Sequence, residues 1–566
     1  MLTFTTAAYA TFEPRQARFV KLTANGTNFV AVGDILIYIV KSIPSPKANG
    51  GRWGLTLNFP IVPVTAFLNP RKQKLITMAS LVPDRFQANV DPPTTYAAML
   101  DLKTKEITQQ IITESGHDMF CPGTSYDETG RVIITGGDTP AAFSIYDPQA
   151  ETFTNPKDKE GKAIKLKRPR GYQGQTFLPG GTTFMIGGEW SGGEDAKPRD
   201  GELFDPTNNT WKVLDNLKAS LINMDPVTTC DAVKYPDKQC PVTEWQQHHA
   251  WLYAWKNNSI FHAGPSKKMH WFYTTPPKGS YVDVGTRKDD DDAVCGVTSM
   301  YDAEQGLILT AGGARNYHYW YDAKTKNPKD HRKEASKNAF QIQLGNDGKE
   351  VQVTKLPPMK YQRIFANAVI LPTGETLVVG GQVQGEPFYD ETWVPTPEIY
   401  SPSDNKWREV APHSTPRGYH SWAMLMPDAT VIVGGTGLDN PQTDHYDAQI
   451  YHPSYLYKAN GVTPAERPEI QPIGNKEFKV GETIKITTTL EVDKEASLIR
   501  YGAATHALNN DMRRIKLKLK AEGSASDKKY SMTIPDNSGI ALPGYWMLFV
   551  LRNGVPSHAE TIRIRA

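Results

Sequence analysis

The chain has 566 residues, too many for one ordinary hydrophobic core, so two or three domains are expected. Lys+Arg of 63 against Asp+Glu of 61 leaves a formal net charge of +2, which excludes a global field selecting nucleic acid or an anionic surface. A hydrophobic content of 39% with 45 Gly and 42 Pro suits many short strands and tight turns, and no apolar run reaches the about eighteen residues of a membrane span.

Residues 1–46 hold two strand-like stretches, ARFVKLTA and VGDILIYIV, a short N-terminal β segment unable to bury a core alone. The start has neither a basic n-region nor a true apolar h-region. Three sequons, at Asn25, Asn208 and Asn257, agree with secretion, so the expectation is an extracellular protein whose leader is absent from this chain. Of four cysteines, Cys230 and Cys240 bracket a short loop and suit a local disulfide, and Cys295 reads as a buried free thiol. The run Asp289–Asp292 reads as a solvated loop.

From Gly51 onward a hairpin unit recurs, ending in Gly-Gly. Cys121 lies fifteen residues before Gly136, Tyr172 before Gly187, Phe365 before Gly380 and Tyr419 before Gly434, with His249 before Gly264 in a degenerate copy. An outer hairpin phrase follows at 144–153, 202–211 and 398–407. Gly-Gly spacings of 51 and 54 residues suit four-stranded kelch-type blades, so residues 47–457 are predicted to form a seven-bladed β-propeller. Residues 458–566 alternate apolar and polar positions between turns and read as an immunoglobulin-like β-sandwich, making the chain all-β.

Equal register in a radial repeat means equal place, so a thiol, two phenols and an imidazole should converge at one end of the propeller axis. Singly, a buried Cys is a small hydrophobe and a blade Tyr an aromatic filler. Jointly they point to chemistry. Tyr419-His420 is the most specific element, because neighbours on a strand face opposite sides and share a site only where the backbone turns.

These residues sit in ordered motifs: GRWG at 51–54, HDMFCPG at 117–123, RGYQ at 170–173, GGEWSGG at 187–193, RGYH at 417–420, RYGAATH at 500–506 and ALPGYWMLFV at 541–550. In them the chain resembles the galactose oxidase/glyoxal oxidase family of copper radical oxidases. The resemblance implies a Cys121–Tyr172 thioether that forms a one-electron protein radical, with copper held by Tyr172, Tyr419, His420 and His506. It makes Tyr419 the base, Trp190 the ring shielding the radical, and His249 a residue behind the ligands. It implies oxidation of small primary alcohols or galactosides to aldehydes, with dioxygen reduced to hydrogen peroxide. A monomer with no nucleic-acid or membrane partner is the expectation.

Phe86, Phe365 and Phe388 match the family's apolar pocket wall, and Tyr317 is a further pocket residue. Trp245 stands where galactose oxidase presents an Arg, and His318 where it has a Gln. An indole in place of a guanidinium fork favours aryl or furanic alcohols and galactose-containing oligosaccharides. The N-terminal segment resembles only the end of a discoidin-like carbohydrate-binding domain. Two rival readings stand beside this one: a strict galactose 6-oxidase, and a non-catalytic kelch interaction module.

Overall fold

A computed structural model describes residues 50–86, 90–188, 198–224, 247–287, 291–315, 317, 334–438 and 443–566. The chain divides into two compact units, Met1–Pro44 and Ser45–Ala566, and the second is described here. The expectations for residues 1–46, and for Cys230 with Cys240, lie outside the described residues.

Among the described residues, seven antiparallel sheets follow one another in blade order, six of four strands and one of five. Five are uninterrupted meanders: Gly123–Tyr126 to Thr152–Thr154, Gly174–Phe177 to Thr210–Val213, Trp251–Ala254 to Ser280–Thr286, Val297–Asp302 to Gln352–Lys355, and Ile364–Ile370 to Lys406–Glu409. A sixth runs from Thr65–Asn69 to Ile107–Ile112 and gains a fifth strand, Ala503–Thr505, on its inner edge. The last blade draws its outer strand, Arg52–Asn58, from the front of the propeller region, pairing it with Asp447–His452. That pairing closes the ring non-locally, which a repeat period cannot reveal.

Innermost strands of neighbouring blades touch around the ring. Tyr253 Oη and Thr298 Oγ1, 2.8 Å apart, link the Trp251–Ala254 and Val297–Asp302 strands. Inner strands such as Val132–Thr135 and Val431–Gly435 are buried throughout, whereas outer strands alternate, as in Thr152–Thr154. A strand covered on both faces needs no polar side, hence the apolar runs before each Gly-Gly.

The C-terminal region forms two further sheets. One contains Glu477–Lys479, Glu560–Arg565, Gly544–Arg552, Glu495–Arg500 and Arg514–Lys518, and the other Thr483–Thr487, Lys529–Thr533 and Lys520–Ala521. Their facing side chains, including Ile484, Leu498, Met532, Trp546 and Ile562, share one apolar core. Between Arg500 and Arg514 the chain leaves this sandwich and enters the ring. Asn510 Nδ2 donates to the carbonyls of Gln175 and Ala250, and Arg513 Nη1 to that of Ala254. Asp292, expected in a solvated run, is buried, its carboxylate accepting the Lys267 N–H at 2.8 Å.

Candidate active site

Six of the seven blades enter their first strand through one residue of left-handed backbone. Cys121, Tyr172, His249 and Phe365 have φ of 56°, 66°, 53° and 63°, as the fifteen-residue register implies. Such φ values are uncommon for residues with a side chain, and here neighbouring blades hold them. The Tyr172 N–H donates to Cys121 O at 3.0 Å, and the His249 N–H to Tyr172 O at 2.8 Å. The Phe365 N–H meets Cys295 O at 3.0 Å in the same way. Cys295, with φ 48°, therefore occupies a further equivalent slot. Its hairpin is two residues longer than the others, so the spacing did not reveal it.

The last blade corrects the register by one residue. His420, not Tyr419, is the left-handed residue, with φ 68°. The shift is marked by the buried arginines before three of the slots. Arg170 Nη1 donates to Gly187 O and Arg363 Nη1 to Gly380 O, seventeen positions on in each case. Arg417 makes the same bond to Gly435 O, eighteen positions on. One extra residue has entered this blade, and it lets Tyr419 and His420 both face the axis.

His506 arrives on the segment that leaves the C-terminal sheets. Its strand, Ala503–Thr505, pairs with Thr65–Asn69, and His506 itself turns left-handed with φ 51°. The structure thus brings Cys121, Tyr172, Tyr419, His420 and His506 together, all buried. Tyr419 Oη donates to Tyr172 Oη at 3.2 Å, and Cys121 Sγ lies 3.2 Å from His506 Nε2. The Cys121 thiol and Tyr172 phenol are hydrogen-bonded. The ring centroids of His420 and His506 are 4.6 Å apart.

Both imidazoles are oriented from behind. His420 Nδ1 meets the carbonyl of Gly437 at 2.5 Å, so it carries the proton and leaves a lone pair on Nε2. That Nε2 has no hydrogen-bond partner among the described residues. His506 Nδ1 meets Thr505 Oγ1 at 2.6 Å, and Thr505 Oγ1 donates onward to Val64 O. Cys121 Sγ, His420 and His506 offer ligand atoms within 4.8 Å of one another.

Burial sets the charge states. It pulls the His420 imidazole down to about 3 and, with the neighbouring His420, His249 and His248 rings, pulls His506 well below its ordinary value. Neutral imidazoles are what a cation needs as ligands. Burial pushes the phenols of Tyr172, Tyr419 and Tyr317 well above theirs, and the Cys121 thiol likewise. Without a metal the phenols are neutral, and a bound cation reverses that preference.

Aromatic rings surround the cluster. Phe365 and Phe388 meet Tyr419 edge-on with centroids 5.0 and 5.3 Å away, and Tyr317 lies 5.7 Å from the same ring. Phe86 stacks on Phe120 at 5.0 Å and on Phe388 at 6.1 Å, and Phe120 and Phe388 both touch His420. His249 stacks on His506 at 5.2 Å, and His248 lies parallel to Tyr172. Phe120, His248 and Thr505 were not singled out as site residues from sequence; their adjacency to Cys121, His249 and His506 is the only signal they carry there. Trp190, Trp245 and His318 lie outside the described residues.

The description "Galactose oxidase-like, Early set domain" matches residues 467–564, and "Glyoxal oxidase N-terminus" matches residues 293–456. Galactose oxidase of Gibberella zeae is 39% identical over 570 residues, spanning 99% of this chain and 78% of that one. The aldehyde oxidase GLOX of Vitis pseudoreticulata is 25% identical, over 83% of this chain and 86% of its own. Among solved structures, a fungal alcohol oxidase of the AA5 family in complex with copper superposes with a TM-score of 0.80 at 37% identity. That match covers 92% of this chain and all of the other.

Proposed function

The chain belongs to the galactose oxidase family of copper radical oxidases, and from that membership we propose that it oxidises primary alcohols to aldehydes, reducing dioxygen to hydrogen peroxide. The observation that carries the reading is the convergence of two neutral imidazoles, two phenols and a thiol at one buried point. The unpartnered Nε2 of His420 and the nearby Nε2 of His506 suit one cation, and nitrogen with phenolate oxygen suits tetragonal Cu(II). On this reading His420, His506, Tyr172 and Tyr419 hold the copper.

When bound, copper would supply one of the two oxidising equivalents, and a Tyr172 ring cross-linked to Cys121 the other. Forming that thioether joins Sγ to the Tyr172 ring and passes two hydrogens to dioxygen. Tyr419 Oη takes the substrate's hydroxyl proton, and the Phe365 and Phe388 rings around it keep bulk water away. Thr505 and the Gly437 carbonyl hold the two imidazoles in the donor tautomer required.

The stacked, half-buried Phe86 and Phe388 support aryl or furanic alcohols, with galactose-containing oligosaccharides, as substrates. Phenyl faces reward flat rings and the apolar face of a sugar alike. Peptide mass spectrometry after treatment with copper and oxygen tests the reaction class. A Cys121–Tyr172 cross-linked peptide, lighter by two hydrogens, is expected. Separate unmodified peptides would instead favour a non-catalytic propeller. A peroxide-coupled assay over galactose, raffinose, benzyl alcohol and hydroxymethylfurfural ranks the substrates, and galactose far outpacing the aromatic alcohols would overturn the aryl preference.

A further inference from the structure

Resting on the reading that Tyr172 is the group oxidised by one electron, we propose that His248 is a positioning residue that sets how readily this phenol gives up its electron. The His248 ring is buried and lies 17° from parallel to Tyr172, with centroids 5.2 Å apart. The next residue, His249, meets the same phenol edge-on at 71° and stacks on His506 at 20°. Two successive residues reach the site because His249 is left-handed, with φ 53°, so the chain turns between their rings. The His249 N–H holds the Tyr172 carbonyl at 2.8 Å, which ties the imidazole's place to the phenol's own backbone.

A ring that loses an electron becomes electron-poor. A parallel aromatic neighbour presents the negative face of its quadrupole and stabilises the oxidised ring more than the reduced one. The family resemblance gives a stacking place to Trp190, outside the described residues. Among the described rings around Tyr172, the parallel one is His248, while His249 and His506 stand near perpendicular at 71° and 69°. The imidazole adds no ligand to the copper set, and its effect travels through the Tyr172 π-face.

The test uses copper-loaded full-length enzyme and spectroelectrochemical titration of the phenol radical, with cross-link yield from mass spectrometry measured first for every variant. At one applied potential near the wild-type midpoint, His248→Ala is expected to lower the ratio of oxidised to reduced phenol by about fivefold. His248→Phe restores an aromatic plane and is expected within about twofold of wild type. His248→Asn, which leaves a smaller void, carries the same expectation as His248→Ala. An unchanged ratio in His248→Ala and His248→Asn overturns the proposal. So does an equal fall in His248→Phe, since an aromatic plane in that place would then have no effect. If wild-type protein forms neither cross-link nor radical, the functional reading itself fails and the proposal falls with it.

Discussion

Asp511→Asn probes how the C-terminal sheets and the blades hold one site together. His506 enters the ring on the segment between Arg500 and Arg514, and Asp511 anchors that segment. Its Oδ1 meets Arg500 Nη1 at 2.7 Å, its Oδ2 accepts the Tyr126 N–H at 2.8 Å, and the two side chains are 1% and 2% exposed. Arg513 is buried alongside, with its guanidinium pulled down to about 9 by burial and by the neighbouring Arg500. One carboxylate therefore offsets two guanidiniums.

Asparagine keeps the volume and still accepts from Tyr126, but it leaves the Arg500 charge uncompensated in the interior, at a cost of about 3–5 kcal/mol. At about 1 °C per kcal/mol for a chain this long, the thermal midpoint should fall by about 3–5 °C. Calorimetry of the metal-free protein measures this directly, and a chelator competition should show weaker copper retention, since His506 rides on the loosened segment. A midpoint for Asp511→Asn within about 1 °C of wild type would refute the reasoning, because an unpaired buried charge cannot be that cheap.

Thr505→Val removes the oxygen that orients His506 at Nδ1, and copper affinity should fall about 10–100-fold in a competition titration while the fold is kept. Phe388→Ala should lower kcat/KM for benzyl alcohol by about threefold to tenfold, with a smaller effect on a small aliphatic alcohol, measured by peroxide release. His117 lies outside the ligand set, its Nε2 bonded to Gly136 O, and burial lowers its pKa from 6.5 to about 4. Its contribution to stability is fully present above pH 6.5 and is lost as pH falls towards 4, about 3 kcal/mol in all. Acid unfolding of the metal-free His117→Gln protein should accordingly be shallower across that window than wild type.

Much of the site was legible because a propeller repeats its hairpin. The spacing to Gly-Gly placed Cys121, Tyr172, His249 and Phe365 in one slot, and all four share its left-handed backbone. Where a blade changes length, the spacing fails. The longer hairpin hid Cys295 from the pattern, and the extra residue after Arg417 gave the slot to His420 in place of Tyr419. A hairpin's length is written in the chain. Its phase against the ring shows only when an anchor such as the Arg417–Gly435 bond is seen.

The sequence by itself determined the chemistry available: which thiol, phenols and imidazoles stand where strands begin, and the family whose motifs they form. Local hairpins follow from local patterning of apolar residues and turns, so they can be read without a partner in view. Only the tertiary structure decided how those groups meet. It pairs Ala503–Thr505 with a blade far earlier in the chain, carries His506 to Cys121, and lays His248 across the face of Tyr172. Those approaches depend on packing between segments hundreds of residues apart, and no period within either segment encodes them.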